Sequence, residues 1–94
     1  MKPRIGRTIY TVCNENITKT KVAFLGKDTF ITDEFRNYLF GYEFSYDHYN
    51  VTWFTSLAKA KKSIMDCLDE DERKQLEWSE YECNDYWELI YKEE

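Results

Sequence analysis

The chain has 94 residues, a net charge of −5, and 18% aromatic residues, enough large rings for one small domain to build a core. That content argues against intrinsic disorder, and no apolar run approaches the roughly 20 residues needed to span a bilayer. The charge is divided: residues 1–65 hold ten Lys/Arg against six Asp/Glu, a net of +4, and residues 66–94 hold twelve acids against three bases, a net of −9. Such asymmetry points to an interaction surface rather than a catalytic centre, and the overall sign disfavours general affinity for nucleic acid.

Lys2, Arg4 and Arg7 near the start have no apolar stretch behind them, so no signal peptide is predicted and a cytoplasmic location is expected. Cys13, Cys67 and Cys83 are odd in number and far apart, which reads as thiols in a reducing compartment.

Arg7 to Cys13 alternates with β-branched and aromatic residues, which predicts a strand. Asn14-Glu15-Asn16 is a turn, and Thr18 to Leu25 returns as the second strand of a hairpin, with Thr20, Val22 and Phe24 on one face. Gly26-Lys27-Asp28 closes it with turn residues. Thr32-Asp33-Glu34 has a hydroxyl cap followed by acids, which predicts a short helix near 33–40 stopped by Gly41. Tyr42 to Tyr49 and Val51 to Phe54 are aromatic and β-branched, which predicts a second hairpin turning at His48-Tyr49-Asn50.

Thr55 or Ser56 caps the clearest helix, about 56–68, whose Leu57, Ala60, Ile64, Cys67 and Leu68 form one apolar stripe. Asp69-Glu70-Asp71-Glu72 clashes with the end of that helix but suits the start of another turn, running through Leu76. Trp78 to Tyr91 fits either a helix, with Leu76, Cys83, Trp87 and Ile90 aligned, or two strands around Asn84-Asp85; Trp, Tyr and Ile content favours strands.

The expected fold is α+β over one domain, 1–94: a small curved antiparallel sheet, SH3-like in outline, with one main amphipathic helix packed on it. Residues 1–54 are mainly β, 56–76 helical and 78–91 β. The expected core is Ile9, Tyr10, Val12, Val22, Phe24, Phe30, Phe35, Leu39, Phe44, Trp53, Phe54, Leu57, Ala60, Ile64, Leu68 and Trp87.

Catalytic and metal motifs are weak. His48 is the sole histidine, and a Cys–His nucleophile would need a cysteine beside it in space; a polar turn residue is the plainer reading. There is no Cys-x-x-Cys, the acids at 69–72 lack the glycine and distal glutamate of a calcium loop, and three scattered glycines cannot build a phosphate loop. No catalytic residue, metal or cofactor is assigned.

Two surfaces remain. Arg7, Lys19 and Lys21 near the first hairpin, with Lys59, Lys61 and Lys62 on the helix, compose a candidate nucleic-acid platform, although alternating lysines are ordinary on a solvated strand face. The acids Asp69, Glu70, Asp71, Glu72, Glu77, Glu80, Glu82 and Glu88, interleaved with Trp78, Tyr81, Tyr86 and Trp87, compose an acidic face. In strand form Glu80, Glu82 and Glu88 are expected to project from one side. Carboxylates at regular spacing can stand in for nucleic-acid phosphates in a basic groove, although they also serve simply to solubilise a domain.

Thr52-Trp53-Phe54-Thr55-Ser56-Leu57-Ala58-Lys59-Ala60-Lys61 resembles a pattern in small uncharacterised proteins of Gram-positive bacteria and their phages, in which a short strand ending in Trp-Phe-Thr leads into an amphipathic helix. In size and acidity the chain also resembles phage-encoded inhibitors of host defence, anti-CRISPR proteins among them. The acidic C-terminal face thus points to a non-enzymatic binding module that blocks a basic, nucleic-acid-binding site of a host protein, and the resemblance implies that it does so as a phage or mobile-element inhibitor. A nucleic-acid-binding regulator using the basic residues is the alternative, and exposed tyrosines also suit a homodimer interface.

Overall fold

The alternation at the start of the chain becomes a hairpin. β1 (Thr8–Cys13) runs antiparallel to β2 (Asn16–Leu25), with Thr8 opposite Lys21 and Cys13 opposite Asn16. Asn14 makes the turn at φ 57°, which its short side chain tolerates. The computed structural model describes residues 2–33, 43–80 and 85–92. The short helix expected near 33–40, with Phe35 and Leu39, lies outside the described residues apart from Asp33.

β2 is the hub. Its long run of ten residues serves β1 on one edge and two neighbours on the other. Asn16 to Thr18 pair with Glu88 to Tyr86 of β7 (Tyr86–Tyr91), and Val22 to Leu25 pair with β3 (Thr29–Thr32). A register shift between Val22 and Phe24 bends β2 where it changes partner. Gly26 permits the tight turn into β3: its N–H donates to Thr29 O at 2.7 Å, and a Cβ there would sit 2.9 Å from that oxygen. β4 (Glu43–Ser45) adds to β3, β5 (Trp53–Phe54) adds to β1, and β6 (Leu76–Glu80) adds to β7. Among the described residues these seven strands form one antiparallel sheet, curled into a half-barrel.

Directly opposed residues share a face in such a sheet, so the registers sort the core into two layers. On one face, Ile17, Phe54, Trp87 and Leu89 pack with Ala60 and Ile64 of α1 (Leu57–Met65) and with Leu76; this is the helix face. On the other, Ile9, Val22 and Trp53 pack with Phe30, and β3, β4 and a 3-10 turn at Tyr46–His48 arch over them. Phe30 lies edge-on to Trp53 at 5.0 Å, and Trp53 Nε1 donates to Ser45 O at 2.9 Å, closing the arch. Burying each such large apolar side chain contributes about 1.5–3 kcal/mol.

The expected fold class holds: α+β, a curved antiparallel sheet and one main helix. Ser56 caps α1, its hydroxyl accepting from Lys59 N–H at 3.4 Å. The helix stops at Met65, short of the expected 68, so Cys67 leaves the apolar stripe and is exposed. Asp69 caps α2 (Glu70–Gln75) by accepting from Glu72 N–H at 2.8 Å, and Leu76 turns directly into β6. Three expectations fail. The second hairpin does not form, because Trp53 and Phe54 pair with Thr11 and Tyr10 of β1 rather than with β4. Phe24 is 67% exposed, since the bulge breaks the alternation that would have buried it. Ile17, Leu76 and Leu89 are core residues that the expected core omits.

Candidate interaction surface

The C-terminal acids ride on a hairpin that is anchored at three points. Trp87 (4% exposed), Leu89 (8%) and Leu76 (9%) enter the helix-face core, and Trp87 lies opposite Ile17 of β2. The Trp87 ring meets Tyr10 at 6.0 Å between centroids. These contacts hold the carboxylates of β6 and β7 on an ordered frame.

The frame does not align them as expected. Ser79 faces Glu88, and Glu80 faces Trp87. Glu88 therefore shares the arch face with Glu77 and Ser79, whereas Glu80 lies on the helix face beyond Leu76 and Trp78. The expected row of Glu80, Glu82 and Glu88 on one side is corrected on that ground; Glu82 itself lies outside the described residues. Glu77 and Glu88 form the diagonal pair instead, at the ~7–8 Å typical of such neighbours.

Asp69, Glu70, Asp71 and Glu72 surround the start of α2, all exposed. Asp69 is occupied as the cap, and Glu70 lies 3.9 Å from Lys74. Arg73 Nε donates to Met65 O at 2.8 Å and ties α2 to the end of α1. Asp66 accepts from Lys62 at 2.8 Å, and that hydrogen bond holds its carboxyl below the ordinary value despite an opposing desolvation effect. Among the described residues, Asp71, Glu72, Glu77 and Glu80 have no ion-pair partner.

The basic residues are less free. Lys19 and Lys21 face Tyr10 and Thr8, on the helix face of β2, where Asp33 and Asp85 flank them. Asp33 is itself tied back, accepting from Thr20 Oγ1 at 3.0 Å and Lys21 N–H at 3.2 Å. Arg7 precedes β1 and is exposed, its carbonyl accepting from Val22 N–H. On α1, Lys62 is engaged by Asp66, Lys61 sits over the Trp78 ring at 5.6 Å, and Lys59 is exposed.

Between the arch and the β1–β2 hairpin lies a cleft of about 260 Å³. Thr11, Cys13 and Thr18 lie along its floor, and Glu43, Phe44 and His48 reach it from the arch. Tyr86 sits opposite Thr18, hydrogen-bonded to Glu88; burial first, then the Glu88 charge and that bond, push its hydroxyl above the ordinary tyrosine value. The cleft is the feature that the sequence reading missed. It does place Cys13 and His48 on one cavity, the condition set for a nucleophile pair, yet no hydrogen bond joins them. Among the described residues no group of three or more His, Cys, Asp or Glu is placed to hold a metal ion, and no helix is long and apolar enough to cross a membrane.

Comparison of the chain with protein-family models, curated proteins and solved structures found no match.

Proposed function

We propose that this chain is a non-enzymatic protein-binding module that presents an acidic surface to a basic groove of a partner, a groove of the kind that otherwise takes nucleic acid. The observation that supports this most is the anchoring of β6 and β7. Their carboxylates, Glu77 and Glu88 above all, stand on strands pinned by Trp87 and Leu89, so little ordering entropy remains to be lost on binding. Asp71, Glu72, Glu77 and Glu80, which have no ion-pair partner among the described residues, keep their charge for steering a cationic surface. As an inhibitor, such a module would act by occupancy and would need no chemistry of its own.

A fluorescent nona-arginine peptide, titrated at about 50 and 200 mM salt, tests the reading. Binding should weaken with salt, and the E77K/E88K double reversal should weaken it at least about tenfold. Affinity unchanged by the reversal overturns the proposal. The alternative, a nucleic-acid-binding regulator, has Lys21 and the exposed Phe24 on one strand in its favour. Salt-sensitive binding of short RNA or DNA, abolished by K19E/K21E, would favour that alternative.

A further inference from the structure

β6 is the last strand on its side of the sheet. Among the described residues it pairs with β7 and with nothing else. Which backbone groups this leaves outward follows from the ladder. Lys92 N–H donates to Gln75 O at 2.8 Å, so Gln75 and Lys92 are a hydrogen-bonded pair. Bonded and non-bonded pairs alternate along an antiparallel ladder, so Glu77 with Ile90 and Ser79 with Glu88 are the next bonded pairs. On the far edge of β7, Leu89 N–H donates to Glu15 O and Asp85 O accepts from Lys19 N–H, which fits the same phase. The C=O of Leu76, both backbone groups of Trp78 and the N–H of Glu80 therefore point away from β7, and no described residue bonds to them.

Such an edge is a template for another strand unless it is guarded. Lysine, proline and bulges are common guards; β6 contains neither residue, and its register with β7 is unbroken. Its charges are Glu77 and Glu80, both exposed. They guard the edge against a second copy, which would bring together two segments, residues 66–94, that each carry a net charge of −9. They do not guard it against a cationic strand. The two faces of the edge differ in this respect. On the helix face Lys61 lies over the Trp78 ring and repels a further cation. On the arch face Glu77 would stand at a non-hydrogen-bonded position of an added strand, where opposed residues come closest, about 4.5 Å between Cα atoms.

We propose that the outer edge of β6 docks an extended segment of the basic partner, added to the sheet as an antiparallel strand with its Lys or Arg side chains on the arch face and one of them opposite Glu77. The proposal rests on the reading of the acidic surface given above and gives the partner a conformation. Main-chain hydrogen bonds to Leu76, Trp78 and Glu80 supply affinity, and Glu77 selects the sign of the alternate side chains.

The test uses a seven-residue peptide of alternating arginine and threonine, capped at both ends, followed by amide exchange of the intact chain. With arginines on the arch face, the threonine N–H groups face β6. At peptide ten times above its Kd, exchange at Trp78 and Glu80 should slow about tenfold. The peptide N-methylated at its threonines keeps every charge and should not protect them; the peptide N-methylated at its arginines should. E77K should weaken binding about fivefold. Absent protection at Trp78 and Glu80, or equal binding by the two methylated peptides, overturns the proposal. A dimer that protects Trp78 and Glu80 without peptide gives the edge to a second copy and overturns it too. Should E77K/E88K weaken nona-arginine while the alternating peptide leaves Trp78 and Glu80 unprotected, this inference fails and the acidic-surface reading survives. Protection that persists undiminished in E77K/E88K means that the edge takes strands without regard to charge, and both readings fail.

Discussion

Replacing Trp87 by alanine tests the anchor on which the acidic hairpin depends. Trp87 is 4% exposed, faces Ile17 and Glu80 across its two neighbouring strands, and meets the Tyr10 ring. Truncating a buried Trp costs about 3–5 kcal/mol, from lost transfer energy and the cavity left behind. A chain of 94 residues at ~0.05–0.15 kcal/mol each has about 5–14 kcal/mol to lose. W87A should therefore remain folded only marginally. With a urea m-value of about 1–3 kcal/mol/M, its midpoint should fall by about 1 M or more. W87F is the informative companion. Trp87 Nε1 is buried and no described group accepts from it, a defect of the kind that costs about 1–3 kcal/mol. Phenylalanine removes that donor and keeps one ring, so its net loss should be about 1 kcal/mol or less. Circular dichroism in urea reads both variants. A W87A loss below about 1 kcal/mol, in the range of surface substitutions, would refute the claim that this ring pins β7 to the body.

Two further expectations follow from the same geometry. F24S should change stability by no more than about 0.5 kcal/mol, because the bulge leaves Phe24 at 67% exposure; a loss of about 3 kcal/mol in urea melts would return Phe24 to the core. Tyr86 should ionise above the ordinary 10.0, since burial and Glu88 favour its neutral form. The folded state then binds more protons than the unfolded state above pH 10, so this contribution is present below that pH and is lost as pH rises through the folded value. Difference absorbance of the tyrosinate against Y86F should show the late phase, and E88Q should move it earlier; a phase unaffected by E88Q would contradict the Tyr86–Glu88 contact.

Much of the frame was legible because local physics set it. The β1 alternation, the Ser56 cap and the acids that begin α2 each have one good local solution, and the chain adopts it. What escaped was set at a distance. Trp53-Phe54 is too short to choose its partner locally, and β1 outcompetes the nearer β4. The bulge in β2 answers to its change from β7 to β3, which nothing around Ala23 announces. The splitting of Glu80 from Glu88 was readable and was missed. A hairpin loop of two or four residues between those strands pairs even positions with odd ones, which puts the two acids on opposite faces. The cleft was unreadable for a different reason: Thr11, Cys13, Thr18, Phe44 and His48 carry no motif, and only the overhang of the arch brings them together.

Amide hydrogen exchange along β7 bears most directly on whether the acidic surface is a built object. The N–H groups of Trp87 and Leu89 should exchange as slowly as those of Ile9 and Val22 in the body of the sheet, opening only with the whole fold. Exchange at Trp87 and Leu89 orders of magnitude faster than at Ile9 would mean that β7 detaches on its own, and a carboxylate surface of fixed shape would not exist.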